Sequence, residues 1–328
     1  MNHLYFNMVC RIQIGQVEFN HVHSVKILQS IKALSDTAVI TVPRAYKKVL
    51  TGGEHISLED RNITNYIKTG DPVKIYLGYD DNLELEFEGY VTRISADYPL
   101  RIECTDQMQK LKEGNLIQVF KDCKLSKLIS FIAKGYQTDI RVDADLGTFE
   151  INNKSPYQVL EQLKKDFGIH SYFKNGFLVV GFMVALQPSS THRLVLNRNV
   201  RAKGSDLKFV SKEDIKLLVR YISRSKDGKT YTGEFGDKGG NIKEVKIPGL
   251  NPDALEALAE NDHKSSSFDG FAGKIPTWGI PRTKAGDSVD VESVRYTERS
   301  GTYLLEGVTI SFNDTDGFKR ENHLGIKL

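Results

Sequence analysis

Gly70-Asp71-Pro72-Val73-Lys74-Ile75-Tyr76-Leu77-Gly78-Tyr79-Asp80-Asp81-Asn82-Leu83-Glu84-Leu85-Glu86-Phe87-Glu88-Gly89-Tyr90-Val91 is the stretch that decides the fold class. Val73, Ile75, Leu77 and Tyr79 alternate with Lys74, Tyr76 and Gly78; Leu83, Leu85 and Phe87 alternate with Glu84, Glu86 and Glu88. A period of two sends alternate side chains to opposite faces, so each run predicts a strand with one dry and one wet face. The polar corner at Asp80-Asp81-Asn82 predicts a hairpin turn. Outward from this hairpin the same period extends from Val17 to Leu111. Thr37 to Val42 is β-branched and stops at Pro43, and a further strand, Leu100 to Cys104, follows Pro99. Short antiparallel strands separated by turn signals predict a barrel or sandwich. Thr51 to Tyr66 breaks the pattern: Gly52-Gly53 opens a polar stretch holding Asp60, Arg61 and Asn62, read as a loop thrown out from the barrel.

After Lys112 the period lengthens. Leu125, Leu128, Ile129 and Ile132 share one helical face, closed by Gly135. Ser155 and Pro156 are an N-cap and a first helical residue; Val159, Leu160, Leu163 and Phe167 form the apolar stripe, and Gly168 stops it. A hairpin follows, Ser171 to Phe173 and Phe177 to Gly181 around Lys174-Asn175-Gly176. Gln187-Pro188-Ser189-Ser190-Thr191 reads as a linker. Alternation then returns at Ile215, Leu217, Val219 and Tyr221 and at Ile242 to Val245, with a glycine-rich turn, Gly228 to Gly240, between them. A helix from Pro252 to about His263, capped by Asn251, precedes strands at Lys274–Trp278, Ser288–Val291, Tyr303–Leu305 and Val308–Phe312. The expected domains are 1–115, a first β-barrel; 116–186, an α/β insert; and 187–328, a second β-barrel with the helix near 252–263.

The two ends echo each other. Gly70-Asp71-Pro72-Val73 is followed by Glu88-Gly89-Tyr90-Val91-Thr92, and Gly286-Asp287-Ser288-Val289 by Glu306-Gly307-Val308-Thr309, about twenty residues on in each case. A Gly-Asp turn that opens a strand, with a second strand passing a glycine at a bulge or corner, describes both. The fold class expected is mainly β with an α+β insert: two related antiparallel β-barrels flanking a small α/β domain.

These residues carry a resemblance. Ser24-Val-Lys-Ile-Leu-Gln-Ser-Ile-Lys-Ala-Leu-Ser-Asp-Thr-Ala-Val-Ile-Thr-Val-Pro-Arg44 resembles the opening of phage baseplate hub proteins, the late control gene D or tail-hub family. Gly70 to Tyr79 with Phe87 to Val91 is similar to a second signature of that family. Phe149 to Ile151, Ser155 to Leu160 and Leu163 to Gly168 are similar to its α/β insert, and Gly286 to Val289 to the opening of its second barrel. The likeness covers most of the chain, strongest before residue 185 and looser from Pro188 to Ser267. It implies a structural, non-enzymatic hub without cofactors: a homotrimer whose two barrels per subunit form a pseudo-sixfold ring around a lumen. Such a ring joins the hexameric tail tube to a trimeric spike and touches other baseplate proteins. It implies a place in the tail baseplate of a virion assembled in the bacterial cytoplasm, or in a related contractile injection or type VI secretion machine.

Composition narrows the alternatives. The 328 residues are 40% hydrophobic and 27% charged, and 45 basic against 42 acidic side chains leave a net charge of +3. That balance offers no footprint for neutralising a phosphate backbone, so only passing contact with DNA in a lumen is expected. Cys10, Cys104 and Cys123 form no CxxC pair or Cys/His cluster, so neither a structural metal nor a disulfide framework is expected. Met1 to Gly15 lacks a signal pattern, and the longest apolar stretch, Phe177–Leu186, is too short to span a bilayer, so no membrane insertion is expected.

His21 and His23 share a strand face without a third ligand and read as surface histidines. Asn313-Asp314-Thr315-Asp316-Gly317 begins like a calcium loop, but the twelfth position from Asp314 is Gly325, so it reads as a polar turn. Cys104, Ser155 and Ser266 as nucleophiles, with His170 or His263 as bases, lack any nucleophile signature. Asp71 and Asp287 read as turn formers, and the glycines from Gly233 to Gly240 do not make a phosphate cradle. Glu84, Glu86 and Glu88 read as a solvated strand face, with an acidic lumen wall as the alternative. A cell-wall-degrading tail enzyme would need convergent titratable groups, and a carbohydrate-binding module exposed aromatic platforms; Trp278 is the only tryptophan.

Overall fold

A computed structural model describes residues 7–43, 49–51, 54–56, 65–95, 99–141, 143–182, 188, 190–196, 198–200, 206–224, 229–247, 249–250, 252–295, 297 and 300–328. The loop at Gly52-Gly53 with Asp60, Arg61 and Asn62, the cap Asn251, and Gln187 and Ser189 of the linker lie outside the described residues. Among these residues the chain is mainly β, with a few short helices, one 15-stranded sheet and three small sheets.

Six strands form a first unit: β1 (Met8–Ile14), β2 (Ser24–Ser30), β3 (Thr37–Val42), β4 (Pro72–Tyr79), β5 (Asn82–Ile94) and β6 (Leu100–Thr105). Six form a second: β7 (Thr191–Val195), β8 (Lys208–Val210), β9 (Gly270–Trp278), β10 (Ser288–Glu292), β11 (Gly301–Asn313) and β12 (Gly317–Lys327). Side by side, the first unit runs β2-β3-β6-β5-β4-β1 and the second β8-β9-β12-β11-β10-β7; three short strands, Val17–Phe19, Val49–Thr51 and Glu54–Ile56, extend the first past β1. Each of the six numbered strands of the first unit thus has a counterpart six numbers on, in the same place. One direction differs: β1 is antiparallel to β4, whereas β7 is parallel to β10.

The correspondence reaches single atoms. Gly70 and Gly286 sit at φ of 93° and 77°, a backbone that favours glycine. The Gly70 N–H donates to the Val91 carbonyl at 2.8 Å and the Gly286 N–H to that of Leu305 at 2.8 Å. Val91 and Leu305 donate back to the carbonyls of Asp71 and Asp287. Asp71 accepts from the Lys68 N–H at 2.7 Å, and Asp287 from the Lys284 N–H at 2.9 Å. Next comes the same bulge. Thr92 is extra between the pairs Val91–Cys104 and Arg93–Glu103, and Glu306 between Leu305–Leu324 and Gly307–His323. The Gly-Asp half of the sequence echo is therefore structural. The Glu-Gly half is not, because Val91 corresponds to Leu305, which places Gly89 with Tyr303 and Gly307 with Arg93.

Where two related antiparallel β-barrels are expected, the described residues form one large, mainly antiparallel sheet. Among the described residues no strand pairing closes either unit, and the units are parts of one sheet. The join is β11, which pairs with β10 over Gly301–Leu304 and then leaves it to pair with β2 from Gly307–Ser30 to Asn313–Ser24. One core lies beneath, drawing Ile27, Ile40, Ile75 and Ile102 from the first unit and Val289, Val291, Tyr303 and Ile310 from the second.

A second core holds the α/β insert. Helices α1 (Leu125–Ile132) and α2 (Pro156–Phe167) bury Leu128, Ile129, Val159, Leu160 and Leu163. The Ser155 Oγ accepts from the Gln158 N–H at 3.3 Å while Gln158 Oε1 accepts from the Ser155 N–H at 2.9 Å, a reciprocal cap. The hairpin His170–Lys174 and Phe177–Gly181 extends to Gln137–Ile140, which runs parallel to it. Leu217–Ser266 packs into this same core through Val219, Tyr221, Ile247, Leu255 and Ala259. Its glycine-rich turn is in part a strand, Thr230–Gly236, paired with Leu217–Arg224. A Cβ on Gly233 would stand 2.5 Å from the Glu256 nitrogen in helix α3 (Pro252–Ser266), so that glycine permits strand–helix contact.

Candidate functional site

The residues weighed for catalysis lie apart in role. Cys104 is in β6, its thiol pushed up to about 12 by burial and by Glu103. Ser155 caps α2. The Ser266 Oγ donates to Asp262 at 3.2 Å. His170 is held down at about 4 by burial and by Lys164, Lys32 and Lys243, and its Nδ1 has no hydrogen-bond partner. His263 stacks edge-on against Phe235. His21 and His23 flank buried Val22 in the bend before β2, exposed to solvent, rather than on a strand. Asn313 Oδ1 accepts from the N–H groups of Thr315 and Asp316, which makes the Asn313–Gly317 segment a hairpin turn between β11 and β12. Among the described residues no three His, Cys, Asp or Glu side chains are grouped to hold a metal.

The glutamate row divides: Glu84 and Glu88 are exposed, as a solvated face requires, whereas Glu86 is buried. The pairing of β4 with β5 shifts between Ile75–Phe87 and Tyr76–Leu85, so Glu86 is a bulge residue and turns inward beside Phe87. Its side chain and that of Arg320 in β12 are both 1% exposed. Arg320 Nη2 lies 2.5 Å from Glu86 Oε1 and Nη1 3.1 Å from Oε2, a two-pronged pair. The Arg320 Nε donates to the Gly279 carbonyl at 2.7 Å. Arg282 reaches the same carboxylate through Nε at 3.1 Å, and Glu84 through Nη1 at 2.8 Å. Glu88 pairs with Lys74 at 3.3 Å. The acidic hairpin of the first unit is thus clamped to the second. Sequence reading missed Glu86 and Arg320 because a bulge leaves no mark in an alternating pattern.

A second clamp grows from the Gly-Asp turn of the second unit. Besides the Lys284 N–H, Asp287 accepts from Lys174 Nζ at 2.9 Å and His192 Nε2 at 3.1 Å. Burial opposes its ionisation, but these partners hold the carboxyl down at about 2. The role of a mere turn former therefore fits Asp71, whereas Asp287 also anchors the insert hairpin and β7. Asp287→Ala strands the buried ammonium of Lys174, so its expected cost is about 3–5 kcal/mol, checked by denaturant unfolding; Asp71→Ala is expected to cost about 1 kcal/mol.

First unit, insert hairpin and second unit meet around a cavity of about 400 Å³, lined among others by Gln29, Asp36, Glu86, Asp106, Lys174 and Lys284. Asp36 and Asp106 are its tightest pair. The Asp36 N–H donates to Asp106 Oδ2 at 3.1 Å, the Ser30 N–H to Asp36 Oδ1 at 3.0 Å, and the Met108 N–H to Asp106 Oδ1 at 3.1 Å. Burial, then the neighbouring Asp106, holds the Asp36 carboxyl well above the usual carboxylate range; burial pushes Asp106 up to about 7.

The face of the join opposite the core is a broad polar wall. Its rows run Thr309–Leu28–Thr37, Ser311–Lys26–Val39 and Asn313–Ser24–Thr41 across β11, β2 and β3. Arg101 and Glu103 continue it on β6, and Lys319 and Glu321 on β12. Hydroxyls and amides dominate the centre, and opposite charges flank it.

No protein-family model matches the chain, and no curated protein matches it in sequence. Solved structures do. A tail protein from Neisseria meningitidis MC58 matches with a TM-score of 0.66 at 16% identity, over 98% of this chain and 97% of that one. The 43 kDa tail protein of prophage MuSo2 from Shewanella oneidensis matches with a TM-score of 0.60 at 15% identity, over 97% and 96%. A type VI secretion component of E. coli, c3393, itself similar in structure to the T4 tail proteins gp27 and gp5, matches with 0.57 at 9% identity, over 98% and 77%. Over nearly its full length the chain has the fold of phage tail proteins and of this secretion component.

Proposed function

We propose that this protein is a structural, non-enzymatic hub in the baseplate of a phage tail or related injection machine, assembled in the bacterial cytoplasm. Three copies close a ring of six related β units around a lumen, adapting a hexameric tube to a trimeric spike; DNA or other cargo passes through without specific binding. The observation that carries this reading is the internal repeat: two units with one strand order, one turn and one bulge, side by side in a single sheet. Two like units per chain are what a threefold particle needs to present six like positions. The fold shared with tail proteins supports it, as does the polar wall, whose hydroxyls and balanced charges suit a lumen better than a docking face would. The limits 1–115 and 116–186 are kept in this reading, whereas 187–328 is divided: Thr191–Val210 and Gly270–Lys327 supply the second β unit, and Leu217–Ser266 joins the insert.

Light scattering behind size exclusion, run over a wide concentration range, tests the assembly. The expected mass at high concentration is three times the 37.0 kDa of the chain. A monomer or dimer at every concentration overturns the ring.

A further inference from the structure

The insert carries a ribbon of two antiparallel strands, Leu116–Lys124 and Asp145–Lys154, and among the described residues no strand lies on the far side of the first. The middle of that edge is apolar and bare, with Ile117 75% exposed and Val119 56%. The Val119 carbonyl takes its donor from the neighbouring side chain, Gln118 Nε2 at 3.2 Å, as an edge carbonyl does where no strand supplies one. Beneath the ribbon the two helices of the insert lie side by side. Phe149 of the second strand packs on Phe167 of α2 and Phe120 of the first on Phe131 of α1, ring centroids 6.4 and 5.5 Å apart. The bare edge therefore runs along the α1 side, where Phe131 is itself 40% exposed. A strand laid on this edge would cover Ile117 and Val119 with one row of side chains and Phe131 with the other.

The charges at one end of the edge say what such a strand carries. Lys121 and Lys124 on the strand, Lys127 on α1 and Lys134 just beyond it are all exposed, and none of them has an ion pair. Lys127 stands 5.8 Å over the Phe120 ring, beside Phe131. The acids nearby are spoken for or set back. Asp122 is engaged within the chain, Asp143 accepts from the Ser126 N–H and Oγ at 2.8 and 2.9 Å, and Glu150 lies on the second strand. An edge that is only protected against pairing carries charge in its middle; this one is apolar in its middle and basic at its end. We propose that the edge Leu116–Phe120 takes an extended segment of another protein as a third strand, apolar at its centre and acidic where it meets Lys121, Lys124 and Lys127. The inference goes beyond the ring reading and does not depend on it, since binding is read per chain whatever the mass of the assembly.

The probe is a short blocked peptide with a valine–threonine centre and glutamates at both ends, labelled at one end and titrated with the full chain while fluorescence anisotropy is read. Saturable binding is expected. Val119→Glu, and separately Lys121→Glu with Lys127→Glu, are each expected to weaken it at least about tenfold, the first through the apolar centre and the second through the charges. Every substituted position is exposed, and circular dichroism establishes that each variant folds. A peptide with lysines in place of the glutamates is expected to prefer the charge-reversed variant to the parent. Methylating alternate backbone nitrogens of the acidic peptide, which removes its ladder donors, is expected to cost at least about tenfold as well. No saturable binding by the parent overturns the proposal, and so does equal binding by Val119→Glu. A methylated peptide that binds as well as the plain one overturns the added strand, and a lysine peptide that binds the parent as well as the acidic one overturns the acidic partner.

Discussion

Glu86→Ala is expected to lower the unfolding free energy by about 3–5 kcal/mol, because it leaves the Arg320 guanidinium buried without its carboxylate. Arg320 is the largest fully buried side chain among the described residues, and its remaining acceptors are the carbonyls of Gly279 and Thr283. The loss falls on the contact between the units, since Glu86 belongs to β5 and Arg320 to β12. A Glu86→Leu, Arg320→Met double variant is expected to recover more than half of that loss. Removing both charges also removes the cost of dehydrating them, and Arg282, only partly buried, keeps Glu84. Denaturant midpoints of the two variants against the parent decide it. A cost under about 1 kcal/mol for Glu86→Ala would mean that the clamp contributes no more than a surface ion pair.

The second large effect is a dependence on pH. Asp36 and Asp106 release protons near the ordinary carboxylate value of 3.8 when the chain is unfolded, but the folded pair holds on, Asp106 until about pH 7. Lys174 faces Asp36 and Lys112 faces Asp106, and both oppose the rise; the Tyr172 and Tyr157 hydroxyls face the same pair. Between those values the folded state carries more protons than the unfolded one. The contribution is therefore fully present below pH 3.8 and is lost as pH rises through about 7. Asp36→Asn keeps an oxygen for the Ser30 N–H and removes one charge from the pair. It is expected to flatten the fall in stability between pH 5 and 8 and to exceed the parent by about 2 kcal/mol at the upper end. Denaturant unfolding at a series of pH values reads this directly. Parallel curves for parent and variant would show that the pair ionises freely.

What the sequence shows and hides has a physical pattern. The Val73–Tyr79 and Leu83–Phe87 hairpin was legible because alternation is a local signal, and so were the capped helix at Ser155 and the Gly-Asp turns. Glu86 was not, since one extra residue at a bulge reverses every face assignment after it without altering composition. The strand at Thr230–Gly236 hid because Gly233, which lets α3 approach, carries the mark of a turn. The β2–β11 join and the Glu86–Arg320 clamp bring together residues from opposite ends of the chain, where no spacing rule reaches. The Glu306-Gly307 echo of Glu88-Gly89 misled, because the turn preceding it was matched in structure and the glycines were not.

Averaged electron-microscope images of the assembled chain, viewed down the particle axis, test the central claim most directly. The repeat predicts a ring of six nearly equal wall segments around an open lumen, with threefold symmetry appearing only in the outer mass built by the insert. A twofold particle, or a threefold one whose wall shows three segments rather than six, would contradict it.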